Sequence, residues 1–492
     1  MTAKMQTTLL RTFLALVVPM CMAKDTNDWQ NDRPPPPPMD EEGTHRDEGR
    51  MPPPDRNGTD DDDNRPAPPG WDGKGRPPPP PDGFRHGRGK NESRSDKRNK
   101  RKGGDRREPP QGGGRGEGRP GGGRHGDDPS NPSIYSGIET VESGSKMLVG
   151  KTIVSSSQKN TAPVYVKTGA KASVKNAKIT SSVSGANGIL VIGKGAKATV
   201  ENTTITTTAN SSRGLYAFQQ GEIAARNVKI STQGAHCAAM ATDRGEGKVM
   251  VDTCVLDTAG DGSPSMYSTG ELSAKNSTGT ATGSEAMVIE GRNSIRLENT
   301  RLVGYRKCGA MLYQSFSGDA REGVATLSMK DSALEAKTGP LFYVTNTRAE
   351  IDLENCELTD SPEGMLLKAS AGRWGRSGSN GGKVTLRAAN QTLAGDVSVD
   401  GASEVSIELG NGATLTGAIN SDGKGKVAKL TLAKNAKFVL TGDTFLTSLV
   451  NADPTGNNIV RNGYKLRIVN QSISYAQESI RHSAPEWNPM YK

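Results

Sequence analysis

The sequence predicts an all-β protein: a right-handed, single-stranded parallel β-helix solenoid preceded by a long disordered Pro/Gly-rich arm. Three observations predict it. A six-residue phrase built around Asn recurs every 23 to 32 residues between about 143 and 370, the period of stacked supersecondary units. A second, apolar column recurs in step with it. The composition is lean for 492 residues, with 32% hydrophobic and 4% aromatic, and the 29 Pro concentrate before residue 133. A front unable to bury a core therefore precedes a back that can.

Residues 1–23 read as a secretory signal. Lys4 and Arg11 give a positive start, Phe13 to Val18 form an apolar run too short to span a bilayer, and Cys21-Met-Ala23 offers small residues for cleavage. A lipid on Cys21 fits poorly with the preceding Val18-Pro-Met. The expected location is secreted or cell surface, with no transmembrane segment in the mature chain.

Residues 24–132 form the arm. Pro34–Pro38 and Pro77–Pro81 favour extended polyproline II, separated by an acidic block ending at Asp60–Asp63. From Arg85 to Arg124 there are 14 Lys or Arg against 5 Asp or Glu, a balance of +9 that equals the net charge of the whole chain. The basic pI therefore says nothing about the folded part. The arm reads as a solvated spacer, or as a binder of anionic polymers; export argues against nucleic acid as its target. Asn57-Gly-Thr59 and Asn91-Glu-Ser93 match the glycosylation sequon.

The repeats occupy 140–382. Val174-Lys-Asn176-Ala-Lys-Ile179 returns as Val200-Glu-Asn202-Thr-Thr-Ile205, and again around Asn227, Thr253, Asn276, Asn299, Asp331 and Asn355. Before each Asn the chain alternates apolar and polar, as in Ile351-Asp-Leu353, which reads as a strand with one buried face. Asn tolerates the left-handed bend that few residues adopt, so it reads as a corner between two short strands. The next residue (Ala177, Thr203, Val228, Cys254, Ser277, Thr300, Ser332, Cys356) is always small or medium, as a tight interior corner requires. Stacked Asn side chains can form a hydrogen-bonded ladder.

The second column runs through Gly188, Gly214, Cys237, Ser265, Ala286, Ala310, Pro340 and Gly364. Three strands per period in register make a parallel β-helix, and the handedness of parallel crossovers favours the right-handed form. The two columns also locate two insertions. One is Gln314–Val324, with Asp319, Arg321 and Glu322; the other is Ala369–Gly382, with Arg373-Trp374-Gly-Arg376.

Residues 383–468 read as shorter coils and a C-terminal cap, in which Asn457–Tyr464 covers the last edge. Residues 469–492 read as a polar tail. The phrases Leu393-Ala-Gly-Asp-Val-Ser-Val-Asp400, Gly412-Ala-Thr-Leu-Thr-Gly-Ala-Ile419, Leu440-Thr-Gly-Asp-Thr-Phe-Leu-Thr-Ser-Leu449 and Asn462-Gly-Tyr464 resemble those closing secreted bacterial right-handed β-helix proteins. That group is pectin-lyase-like in fold and often described as adhesin-like. The resemblance spans roughly 140–468 and implies fold and capping; the fold hosts both enzymes and binders.

Chemistry is sparse in the repeats. A hydrolase needs paired carboxylates, yet Asp-Asp occurs only in the front. The only His in the repeats is His236, whose column neighbours read as Asn187, Arg213 and Pro264, with no acid among them. Asp243, Glu246, Asp257 and Asp261 are the candidates for calcium, but they do not stack in register. Cys237, Cys254, Cys308 and Cys356 are scattered singly and read as apolar packing residues, neither a disulfide framework nor a zinc site. No catalytic residue, metal or cofactor is expected. The ligand-binding candidates are Arg373, Trp374 and Arg376, since an indole face with flanking cations suits sugars or acidic polymers. The sequence thus points to a non-catalytic, adhesin-like binding or structural module for polysaccharide or another surface polymer. The alternative is a polysaccharide lyase or glycoside hydrolase on the same fold.

Overall fold

A computed structural model describes residues 131–360 and 362–468, and the backbone of 473–474. The signal at 1–23, the arm up to residue 130, its sequons and the rest of the tail lie outside the described residues. From Ser136 onward the chain is a right-handed parallel β-solenoid of about 13 coils. One 3-10 turn, Pro132–Ile134, precedes it.

Each coil lays one strand on each of three faces, here A, B and C in the order the chain meets them. Face A is an eleven-stranded parallel sheet from Ser136–Val141 to Asp396–Val399. Face B runs from Ser145–Val149 through Ser448–Asn451 to Ile473–Ser474. Face C runs from Thr152–Ser155 to Glu357–Thr359 and resumes at Thr392–Ala394. In two coils, Lys197–Thr207 and Glu222–Thr232, B and C form one strand bent at Asn202 and Asn227.

The alternation read in the sequence is the in/out pattern of these strands. Val174, Val200, Ala225, Val251, Ala274 and Leu297 stack inside face B, and Ile179, Ile205, Ile230 and Leu256 stack inside face C. Each is essentially inaccessible, and burying each larger side chain contributes ~1.5–3 kcal/mol.

The corner prediction holds along the whole column. Asn176, Asn202, Asn227, Thr253, Asn276, Asn299, Asp331, Asn355 and Asn390 all take left-handed φ between 45° and 57°. Their side chains point out and form a ladder in part. Asn227 donates to Asn202 at 2.8 Å, Asn299 to Asn276 at 2.8 Å, and Asn355 to Asp331 at 2.6 Å. Where Thr253 breaks the column, Asn276 reaches Asp252 instead, at 2.9 Å.

Behind each corner a second ladder runs inside. Ser277 Oγ donates to Lys275 O at 2.6 Å and accepts the Cys254 N–H at 3.0 Å. Thr300 and Ser332 repeat the arrangement. The cysteines are packing residues, with Cys237, Cys254 and Cys308 buried and Cys356 packed against the core, and three of the thiols have a polar contact as well. Cys254 and Cys356 thiols occupy the hydroxyl slot, donating to Asp252 O and Glu354 O, each at 3.3 Å. Cys237 does the same at the C–A corner, between Ser212 and Ser263. All four described cysteines are free.

The register corrects the second column as well. Leu215 pairs with Met240, so Gly214 stands beside Ala239 and not Cys237. Met287 pairs with Ala310, Ala310 with Phe342 and Phe342 with Leu367, which shifts the remaining three positions to Gly309, Leu341 and Leu366. His236 likewise moves. Its N–H bonds Asp261 O and its imidazole lies against Gly262, with Ser211 in the preceding coil; all three share left-handed φ. Strands Ile459–Val460 and Leu466–Ile468 continue the stack beneath earlier coils, and Tyr464 stays exposed.

Candidate functional site

The outer sides of the faces differ. On face B, the residue before each corner alternates in charge through eight coils: Lys175, Glu201, Arg226, Asp252, Lys275, Glu298, Lys330, Glu354. Lys175–Glu201, Lys275–Glu298 and Lys330–Glu354 form ion pairs of 3.1, 2.6 and 2.9 Å. That surface neutralises itself. Face A instead carries Tyr165, Leu190, Tyr216, Ala241, Tyr267, Val288, Met311 and Tyr343 along one outward column, with Ile192, Phe218 and Tyr313 beside it; the first four, with Ile192 and Phe218, are buried in a second packed cluster.

Both insertions leave the A–B corner, two coils apart. One follows strand Ala310–Tyr313 and the other follows Met365–Ala369; the coil between them turns tightly at Asn346-Thr347. The insertions meet over face A. The half-buried Trp374 lies 5.7 Å from the Tyr313 ring and 6.1 Å from Phe316, between ring centroids. Phe316 is 69% exposed. Below this junction a cavity of about 430 Å³ is lined by Gln314, Glu322, Asn346, Arg348, Ser379 and Lys383. Asn346 Nδ2 ties its floor to Gln314 O at 2.7 Å, and Asn380 Nδ2 holds the second loop through Gly372 O and Trp374 O, each at 2.7 Å.

Polar groups fix the first insertion. The buried Glu290 accepts from Tyr267 at 2.6 Å, Tyr313 at 3.1 Å, Ser317 at 3.3 Å and Ser315. Four hydroxyls thus satisfy a carboxylate under the loop that carries Phe316. Burial, then the neighbouring Tyr313 and Glu290, push the Tyr267 phenol well up; burial and Glu290 do the same to Tyr313. Both are neutral hydroxyl donors throughout the physiological range. Asp319 reaches back to Arg244, and Arg321 lies 3.7 Å from Glu246, which Arg292 also holds at 2.7 Å. Burial raises the Asp319 carboxyl, and the charge of Asp243 adds to that; Arg244 opposes. Thr345 Oγ1, Gln314 Oε1 and Asn380 Oδ1 are buried here without a hydrogen-bond partner.

Of the residues singled out in the sequence, Arg373 and Trp374 come together: the guanidinium carbon sits 4.2 Å over the indole ring. That contact occupies one indole face. The exposed Arg376 is two residues on, and its carbonyl accepts the Ser379 N–H at 3.0 Å. Tyr313, Phe316 and Glu290 were not singled out. Their signal was present, since Tyr recurs within the apolar column as Leu215-Tyr216, Met266-Tyr267 and Leu312-Tyr313. The calcium candidates disperse. Asp243 accepts from Tyr216, Glu246 pairs with arginines, and Asp257 on face C takes the Thr280 N–H at 3.2 Å. Among the described residues no cluster of His, Cys, Asp or Glu could hold a metal ion. No described helix is long and apolar enough to cross a membrane.

With this geometry, the chain is a right-handed parallel β-helix protein. The family described as right handed beta helix region matches residues 162–321. The match stops inside the first insertion, so Arg373 and Trp374 lie beyond it. No curated protein matches the chain.

Proposed function

We propose that the protein is a secreted or cell-surface, adhesin-like module that binds a polysaccharide at the two insertions, without catalysis. One observation carries this reading: two insertions from different coils converge to place Trp374 between Tyr313 and Phe316, with Arg373 stacked on it. Aromatic faces with adjacent cations suit sugar rings and acidic polymers, and a solenoid offers such a polymer an extended surface. Arg373, Trp374 and Arg376 remain the proposed contacts, joined by Phe316. A glycan array probed with the parent and with Trp374→Ala tests it. Binding lost on substitution supports the reading; no binding by either protein points to a structural spacer.

The second reading is a carbohydrate-active enzyme. It draws on Asp319, a carboxyl raised by burial and by the nearby Asp243, because two unequal carboxylates are the usual apparatus of glycoside hydrolysis. Asp319 is already engaged by Arg244. Incubation with polygalacturonate and related acidic polymers, with and without Ca²⁺, separates the readings. Reducing ends or unsaturated products from the parent but not from Asp319→Asn would establish the enzyme.

A further inference from the structure

The first coil differs from every coil stacked on it. It carries exposed apolar side chains on all three faces: Ile138 on A (52%), Met147 and Val149 on B (69% and 50%), and Val154 on C (48%). They point out because Leu148 and Ile153 between them point in. On faces B and C the same positions in the next two coils are polar. Met147 is followed by Ser173 and Thr199, Val149 by Lys175 and Glu201, and Val154 by Thr180 and Thr206. Four of the eight large hydrophobics exposed among the described residues thus form a girdle at one tip of the rod.

That tip is basic. From 136 to 181 there are seven lysines (146, 151, 159, 167, 171, 175 and 178) and two glutamates (139 and 142), so 7 − 2 gives +5. Glu139 is taken by Lys146 and Lys151, Glu142 by Lys167, and Lys175 pairs with Glu201 of a later coil. Lys159, Lys171 and Lys178 are left with no acid partner among the described residues. The described chain entering the coil does not cover the tip: Tyr135 lies along face A with its ring 6.0 Å from Phe218, three coils away.

Charge decides the occupant. Two such tips repel each other. Lys146 also stands in the inward column, over Ala172, with its amine on Glu139 at 2.8 Å. End-to-end stacking would bury that pair at a desolvation cost, and inward charges are a device that blunts strand edges. A fitting partner offers apolar depth and negative charge together. We propose that the first coil docks end-on to an anionic lipid surface, its girdle entering the headgroup region and its lysines meeting the headgroup phosphates. This gives the exported chain a means of retention independent of the face A site.

The test is flotation of the full chain with vesicles of phosphatidylcholine alone or with one third phosphatidylglycerol. Size-exclusion light scattering and a dextran sulfate competition accompany it. The fourfold variant Ile138→Ser, Met147→Ser, Val149→Thr, Val154→Thr keeps every lysine and the basic arm; its unfolding midpoint checks the fold. Expected are binding of the parent only to the anionic vesicles, weakening with salt, and at least tenfold weaker binding by the variant. Lys159→Gln, Lys171→Gln and Lys178→Gln should each weaken it by on the order of fivefold at low salt. Equal binding by parent and variant would assign the effect to the arm or to lysines alone and overturn the proposal. So would absence of binding, preference for dextran sulfate, or a concentration-dependent dimer that the variant loses.

Discussion

Faces A and B rest on one core and part company on their outer sides. On B, charges alternate coil by coil from Lys175 to Glu354 and pair across the sheet. A slip by one coil would set like charges opposite each other, so the column helps to specify register. On A, the outward positions carry tyrosines, and the two insertions add Phe316 and Trp374 above them. In a repeat, a column that continues unbroken answers to stacking. A departure from it answers to something else, and the departures gather on A.

The largest expected effect sets the baseline for that contrast. Phe342 points inward from face A and is inaccessible. Phe342→Ala should lower unfolding stability by about 3–5 kcal/mol. Trp374→Ala, half-buried and outward, should cost less than about 1 kcal/mol while removing polymer binding. Chemical denaturation of both checks this. A Trp374→Ala loss as large as that of Phe342→Ala would make the outer side of A a packing surface and break the comparison.

The corners rank next. Ser277→Ala leaves the buried Cys254 N–H without its acceptor and should cost about 1–3 kcal/mol. Asn299→Gly keeps the left-handed φ and loses only the exposed bond to Asn276, so it should cost well under about 1 kcal/mol by comparison. Denaturation midpoints in that order would place corner stability inside the coil, with the outer Asn ladder a minor contributor.

These features were unequally legible. The corners could be read because few residues accept a left-handed bend, so Asn and Asp stand out even through Thr253. The insertions could be read because two columns must lengthen together. The charge column sat in every quoted phrase, one residue before the Asn, but its meaning needs the strands side by side. The second column slipped at Cys237 because corner lengths vary between coils, and only backbone pairing shows that Gly214 meets Ala239. Trp374 could be picked from its loop; its seat against Tyr313, 61 positions earlier, comes from coil stacking that no local pattern encodes. The cysteines could be read as packing residues; that Cys237, Cys254 and Cys356 also fill a hydroxyl slot could not, because a thiol serves in either role.

A smaller effect tests the charge column directly. Lys275→Glu sets a new carboxylate between Asp252 and Glu298, so that three acids follow one another on face B. It should cost on the order of 0.5–1 kcal/mol at low salt and less at high salt. No salt dependence would remove the column from the account of register.

The smallest effect is in pH, and its sign differs between the faces. On B, the hydrogen bond from Lys426 at 2.7 Å, with Lys383 at 3.7 Å adding to it, holds the Glu404 carboxyl below its ordinary value of 4.5. A group lowered on folding stabilises above its unfolded value, and that contribution is lost as pH falls through the lower, folded value. On A, Asp319 is raised above 3.8 by burial and Asp243. A raised acid favours the folded state below its unfolded value, and that contribution disappears as pH rises through the folded one. Acidification therefore loosens the B pairs and relieves Asp319. Unfolding midpoints from about pH 7 to about pH 3 should show Glu404→Gln flattening the acid loss of the parent and Asp319→Asn leaving it in place. The reverse pattern would mean that the insertion over face A, and not the charge ladder of face B, governs the acid response.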